Sequence, residues 1–172
     1  MKVLAYDAFP NEALSKELAF PYVSLAELLA SSGVVTLHTP YLKETHHLIN
    51  EENIKQIKPG AILINTARGE LVDNDALLWG LENKVLAGCG LDVIEGEKLV
   101  REEKDLLYEK NLNTEKMAEL MKDHLLLGRD EVVYTPHIAF YSEEALQRIL
   151  ATTIENINCY TKGTCQNSVT LK

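Results

Sequence analysis

Short apolar runs alternate with amphipathic stretches almost to the end of the chain. "KVLAY", "GVVTLH", "AILINTA", "VLAGCGLD" and "EVVYTP" are apolar on successive residues, so the strands they predict would hide both faces from water. "NEALSKELA", "SLAELLASS", "ETHHLINEENIKQI" and "NDALLWGLEN" read as helices between them, and "SEEALQRILATTIENINCYTKG" predicts a long closing helix ending at Gly163. Ser24 and Glu27 stand at the spacing of a capping box, and Pro59 with Gly60 halts the third predicted helix. Strands and helices in alternation indicate an α/β fold of three layers, α/β/α, around a five-stranded parallel sheet.

One segment interrupts this rhythm. From Gly96 to Asp130 the sequence is charged and helix-prone, longer than an ordinary connection. It predicts a helical insertion at about residues 96–130, with a solvated charged face, inside a single domain spanning residues 1–172.

Composition narrows the partners. A chain of 172 residues suits one domain with a sizeable core. Its net charge of −9 argues against nucleic acid, whose phosphates are bound mainly by Lys and Arg. No apolar run is long enough to span a bilayer, so no membrane association is expected. The three cysteines lack metal-ligand spacing and point to a reducing compartment, which makes the cytoplasm the expected location.

In an open parallel sheet, ligands bind beyond the carboxyl ends of the strands. The residues there are Asp7 after the first run, His38, Thr39 and Pro40 after the second, and Arg68 with Gly69 after the third. Asp92, Glu95 and Glu97 follow the fourth, and His137 follows the fifth. An arginine fork suits a carboxylate, and a histidine with an acidic neighbour suits proton transfer near neutral pH. That inventory fits reduction of a 2-oxo acid, with Arg68 anchoring the substrate carboxylate and His137 delivering the proton. Blander readings stand beside it: Asp7 could only cap its turn, His38 could be structural and Trp79 packing. Cys89 is expected to be buried and inert, with Cys159 and Cys165 reachable. His46 and His47 are adjacent on a predicted helix and would point in different directions, so no metal site is expected.

"INTARGELVDNDAL", "GLDVIEGE" and "VVYTPHIAFYSEEAL" resemble successive motifs of the D-isomer-specific 2-hydroxyacid dehydrogenases, most closely the D-lactate dehydrogenase branch. The resemblance runs over essentially the whole chain. It implies an NAD-dependent oxidoreductase with a small-molecule substrate, interconverting a lactate-like D-2-hydroxy acid and its 2-oxo acid. Arg68 would bind substrate, His137 would donate the proton, and Glu97 would be its carboxylate partner. Asp7, Thr39, Pro40, Thr45, Thr66, Ala67, Arg68 and Asp92 fall on the family's NAD-contacting positions.

The same comparison implies a departure. In a dinucleotide-binding unit a glycine-rich turn lies about 20 residues before the ribose-binding acid, and only six residues precede Asp7. The expectation is a truncated cofactor domain, lacking its first strand and turn and most of the substrate domain, with little dehydrogenase activity on its own. Removing the central strand of a 3-2-1-4-5-6 sheet would leave unpaired edges. Closure, with "KVLAY" pairing directly to "AILIN" in the flavodoxin-like order 2-1-3-4-5, is preferred to exchange between chains. Apolar residues between Ile149 and Val169, left without cover, predict a homodimer or larger assembly.

Overall fold

Four of the apolar runs form one parallel sheet in the computed structural model, which describes residues 1–101 and 114–169. The strands are β1 (Val34–Leu37), β2 (Ala61–Asn65), β3 (Leu86–Leu91) and β4 (Val132–Tyr134), paired in the order β1-β2-β3-β4. Leu37 is opposite Asn65, Asn65 opposite Leu91, and Leu91 opposite Tyr134, so all four strands end in one row. This register brings the residues that follow them to a common edge. The sheet belongs to a compact unit, Met1–Pro136; His137–Lys172 forms a second unit.

Six helices accompany the strands among the described residues: α1 (Glu12–Leu18), α2 (Leu25–Ser31), α3 (Asn74–Glu82), α4 (Glu97–Arg101), α5 (Thr114–Leu127) and α6 (Glu143–Thr161). Side-chain caps that satisfy first-turn amides set the starts of α1, α2, α3 and α6. Asn11 accepts from Leu14 N, Ser24 from Glu27 N at 3.2 Å, Asp73 from Asp75 N and Ser142 from Ala145 N. Both α4 and α5 lie in the predicted insertion, while residues 102–113 of it lie outside the described residues.

The core sits on one face of the sheet. Leu63 of β2 is fully buried with Leu29, Ile49, Ile54, Leu71, Ala76 and Leu126, and Val35, Cys89 and Leu91 join them. The opposite face alternates into the open: Val34, Ile62 and Val133 are 55%, 42% and 69% exposed. The parallel α/β character is that required by the pattern, but strand number, order and cover differ from expectation.

"KVLAY" is not a sheet strand. Among the described residues its only pairing is a parallel bridge between Ala5 and Tyr22, closed by Ala5 N donating to Pro21 O at 3.1 Å and Val23 N to Ala5 O at 2.9 Å. No ladder joins it to Ala61–Asn65, so the five-stranded sheet and the order 2-1-3-4-5 are both overturned. The reason is geometric: a strand has two edges, and those of β2 are taken by β1 and β3.

The predicted helix "ETHHLINEENIKQI" is also replaced. Only short 3-10 turns form, at Lys43–Thr45 and Ile54–Gln56. Asparagine side chains compete for the backbone here. Asn50 Oδ1 accepts from Glu52 N and Asn53 N, Asn53 Oδ1 accepts from Asn50 N, and Asn53 Nδ2 donates to Leu48 O. Ile49 instead makes a parallel bridge to Val72, which ties this loop to the segment before α3.

Candidate functional site

The turn after β2 is held by a buried amide. Asn65, 1% exposed, donates from Nδ2 to Arg68 O at 2.8 Å and accepts at Oδ1 from Ala67 N at 3.1 Å. Both hydrogen-bonding ends of its side chain are thus spent on shaping the turn. Thr66 and Arg68 are exposed at its tip, and Ala67 packs against the core. One Arg68 donor, Nη1, is used on Ala67 O at 2.6 Å. The turn lies close against the segment after β3: a Cβ on Gly69 would come within 2.0 Å of Ile94 O. Only glycine permits that approach.

The other predicted residues fall into three groups. Asp92, buried after the end of β3, accepts from Thr135 Oγ1, and its N–H donates to Asn65 O at 2.9 Å, so it belongs to the same edge as Arg68. Glu97 is half-buried at the start of α4, its N–H donating to Ile94 O at 3.3 Å. Thr39 is half-buried after β1, with its Oγ1 shielded from solvent and lacking a hydrogen-bond partner. Thr45, by contrast, is a turn fastener: its Oγ1 accepts from Leu42 N and lies 2.9 Å from Pro40 O, to which it donates. Asp7 is exposed and accepts from Phe9 N at 2.8 Å, the turn-capping arrangement. His137 opens the second unit, half-buried and in the left-handed region at φ 55°.

His46 and His47, set apart on the predicted helix, instead cluster with Glu95 beside the Arg68 turn. His47 Nε2 lies 2.9 Å from both Glu95 oxygens, and the His46 ring stacks on His47 with centroids 3.9 Å apart. No helix separates the two rings. His47 has φ 49°, which folds the chain so that successive side chains leave on the same side. Its N–H donates to Glu70 O at 2.9 Å and its carbonyl accepts from Asn50 Nδ2, which together hold this conformation. The two imidazoles therefore share one side of the chain, where a helix would have turned them apart. "HH" followed by a distant "DVIEGE" carried no local signal for this contact, which depends on a positive φ.

Burial affects two further groups. The Cys89 thiol is pushed up to about 12 by desolvation, with the nearby Glu131 charge adding to it. Asp123 of α5 is fully buried, and its Oδ1 accepts from Asn74 Nδ2 at 2.8 Å. Its carboxyl is raised to about 6, chiefly by desolvation and then by Glu119. Asn74 Nδ2 also donates to Glu95 O, which links this pair to the Glu95 segment.

The profile of the D-isomer specific 2-hydroxyacid dehydrogenase NAD binding domain matches residues 1–139. The chain belongs to that family. Among dehydrogenase relatives, it is 39% identical over 173 residues to a D-2-hydroxyacid dehydrogenase (NAD+) of Lacticaseibacillus paracasei, covering 98% of this chain and 48% of the relative. It is 36% identical to the D-lactate dehydrogenase of Escherichia coli K12, covering 98% of this chain and 49% of that one. The crystal structure of the Aquifex aeolicus D-lactate dehydrogenase, complexed with NAD and lactic acid, superposes with a TM-score of 0.80 at 45% identity. That match covers 95% of this chain and 47% of that one. This member of the dehydrogenase family thus spans about half the length of the curated relatives it matches. No helix among its described residues is long and apolar enough to cross a membrane.

Proposed function

We propose that this chain is the nicotinamide-handling part of an NAD-dependent D-2-hydroxyacid dehydrogenase acting on a lactate-like acid, and that alone it turns over little. The observation that carries the reading is the Asn65 clamp, which presents Arg68 beside buried Asp92 at the carboxyl edge of the sheet. In this reading Arg68 uses its remaining guanidinium donors to hold the substrate carboxylate as a two-pronged pair. His137 takes the role of proton donor to the carbonyl oxygen, and Glu97 is the carboxylate that the family's motif assigns to it. NADH, when bound, supplies the hydride for the 2-oxo carbon.

The residues present suit one part of that cofactor better than another. The shielded, partnerless Thr39 hydroxyl, Thr66 and Asp92 offer hydrogen-bonding groups for the nicotinamide half, Ala67 supplies its apolar side chain there, and Pro40 with Thr45 shapes the adjoining turn. Asp7 is placed to accept from ribose hydroxyls with the oxygen not used on Phe9 N. None of these residues offers a glycine-rich turn for the diphosphate, so the reading assigns them the nicotinamide half alone. Weak nucleotide binding and low turnover follow.

The test is titration of the whole chain with NADH, then addition of pyruvate. Weak binding and slow oxidation that Arg68→Ala abolishes are expected; oxidation unaffected by Arg68→Ala would refute the assigned role. Tight, saturable NADH binding would refute the low-activity reading. The three free thiols support a cytoplasmic location. Self-association is supported by Ile149, Leu150, Ile154 and Ile157 of α6, each about half exposed. Light scattering should then give a mass above that of the monomer, and a concentration-independent monomer would end that part of the proposal.

A further inference from the structure

We propose that His46, His47 and Glu95 form a binding site for one divalent transition-metal ion of the zinc class. Each offers a ligand atom, and these atoms all lie within 4.8 Å of one another. Two imidazoles and one carboxylate are the donor set of open zinc sites, and the nitrogen donors favour zinc, copper or nickel over magnesium or calcium. Three protein ligands leave a position for water, so the bound ion is exchangeable.

Two of the three ligands are already fixed. His47 Nε2 and the Glu95 oxygens stand 2.9 Å apart, close to the separation of two donors sharing one ion. The His47 backbone is held at both ends by Glu70 O and Asn50 Nδ2, and the Glu95 carbonyl accepts from Asn74 Nδ2 at 3.1 Å. Such outer contacts orient metal ligands and raise affinity. His46 is the adjustable third. Its ring lies nearly parallel to His47, with an interplanar angle of 23°, so both nitrogens cannot aim at one ion in that pose. The side chain is exposed, and its other ring contact is an edge approach to Tyr41 at 6.0 Å. A rotation of His46 about its own side-chain bonds completes the site without moving the backbone. The ion would replace the proton between His47 and Glu95 and join the β1–β2 loop to the segment after β3.

The experiment uses the full chain with Cys159→Ser and Cys165→Ser, which removes the two reachable thiols as competing ligands. Zinc uptake is measured by calorimetry, and cobalt substitution by its visible spectrum. The expected result is one equivalent of zinc, with cobalt bands that lack a thiolate charge-transfer feature. His46→Ala and Glu95→Gln should each weaken binding by about tenfold or more. His46→Ala leaves the buried contacts intact, and Glu95→Gln keeps an acceptor for His47, so both should fold; circular dichroism verifies this. Absence of zinc uptake by the chain lacking those two thiols, or unchanged affinity in both folded variants, would overturn the site.

Discussion

Replacing Asp123 by asparagine should make the protein more stable at neutral pH, against the usual consequence of altering a fully buried charged residue. Asp123 is 0% exposed and takes one hydrogen bond, from Asn74 Nδ2. Its Oδ2 and Asn74 Oδ1 are both buried acceptors that lack a donor. Glu119 and His124 of its own helix, and Glu95 from the segment after β3, are the charged groups that act on it. The carboxyl is raised from 3.8 to about 6, with burial the largest cause and Glu119 the next. The native state therefore holds this proton more tightly than the unfolded chain does. Its contribution is fully present below about pH 4 and is lost as pH rises through about 6. The interval from 3.8 to about 6 corresponds to about 3 kcal/mol.

A side-chain amide in this place would keep the acceptor oxygen and supply a permanent donor instead of the titrating proton. Urea unfolding, followed by the fluorescence of Trp79 on α3 across the range from acid to mildly alkaline pH, reads the effect. Asp123→Asn should match the parent near pH 4 and exceed it at neutral pH by an amount approaching about 3 kcal/mol. Parallel pH profiles for the two proteins, or a variant weaker than the parent at neutral pH, would refute the reasoning.

Other outcomes follow from the same contacts. Gly69→Ala places a methyl group 2.0 Å from Ile94 O and should cost about 3 kcal/mol or more, measured by thermal melting. Asn65→Ala removes both hydrogen bonds of a buried amide, leaving Ala67 N and Arg68 O without them; a loss of about 2–3 kcal/mol is expected in chemical denaturation. With its thiol pushed up to about 12, Cys89 should resist a disulfide reagent under native conditions, whereas exposed Cys165 should react promptly; mass spectrometry of the labelled peptides distinguishes them.

The sequence was most legible where one physical pattern acted alone. The apolar runs of β1 to β4 and the Ser24 cap are local signals, and each corresponds to an observed element. Failure came where neighbours competed. "KVLAY" has strand-like composition, but its hydrogen bonds go to Pro21 and Val23 rather than to a sheet edge. The apolar spacing of residues 44–57 suggested a helix, yet Asn50 and Asn53 claimed the backbone amides with their own side chains. At the site, the motif residues Arg68 and Asp92 stand on the expected edge, whereas Asp7 and Thr45 are engaged in local turns. The His47–Glu95 contact joins residues 48 apart through a left-handed backbone angle, a combination for which residue spacing gives no warning.

Pairing within the sheet also sets a gradient of local opening. Strands β2 and β3 have neighbours on both sides, while β1 and β4 each have one among the described residues. Amide protons at the centre should therefore survive longest in deuterated solvent, and those of Val34–Leu37 should be lost early. The Arg68 turn grows directly from the slow-exchanging centre, so its guanidinium is mounted on the most durable backbone of the protein, while the flanks breathe.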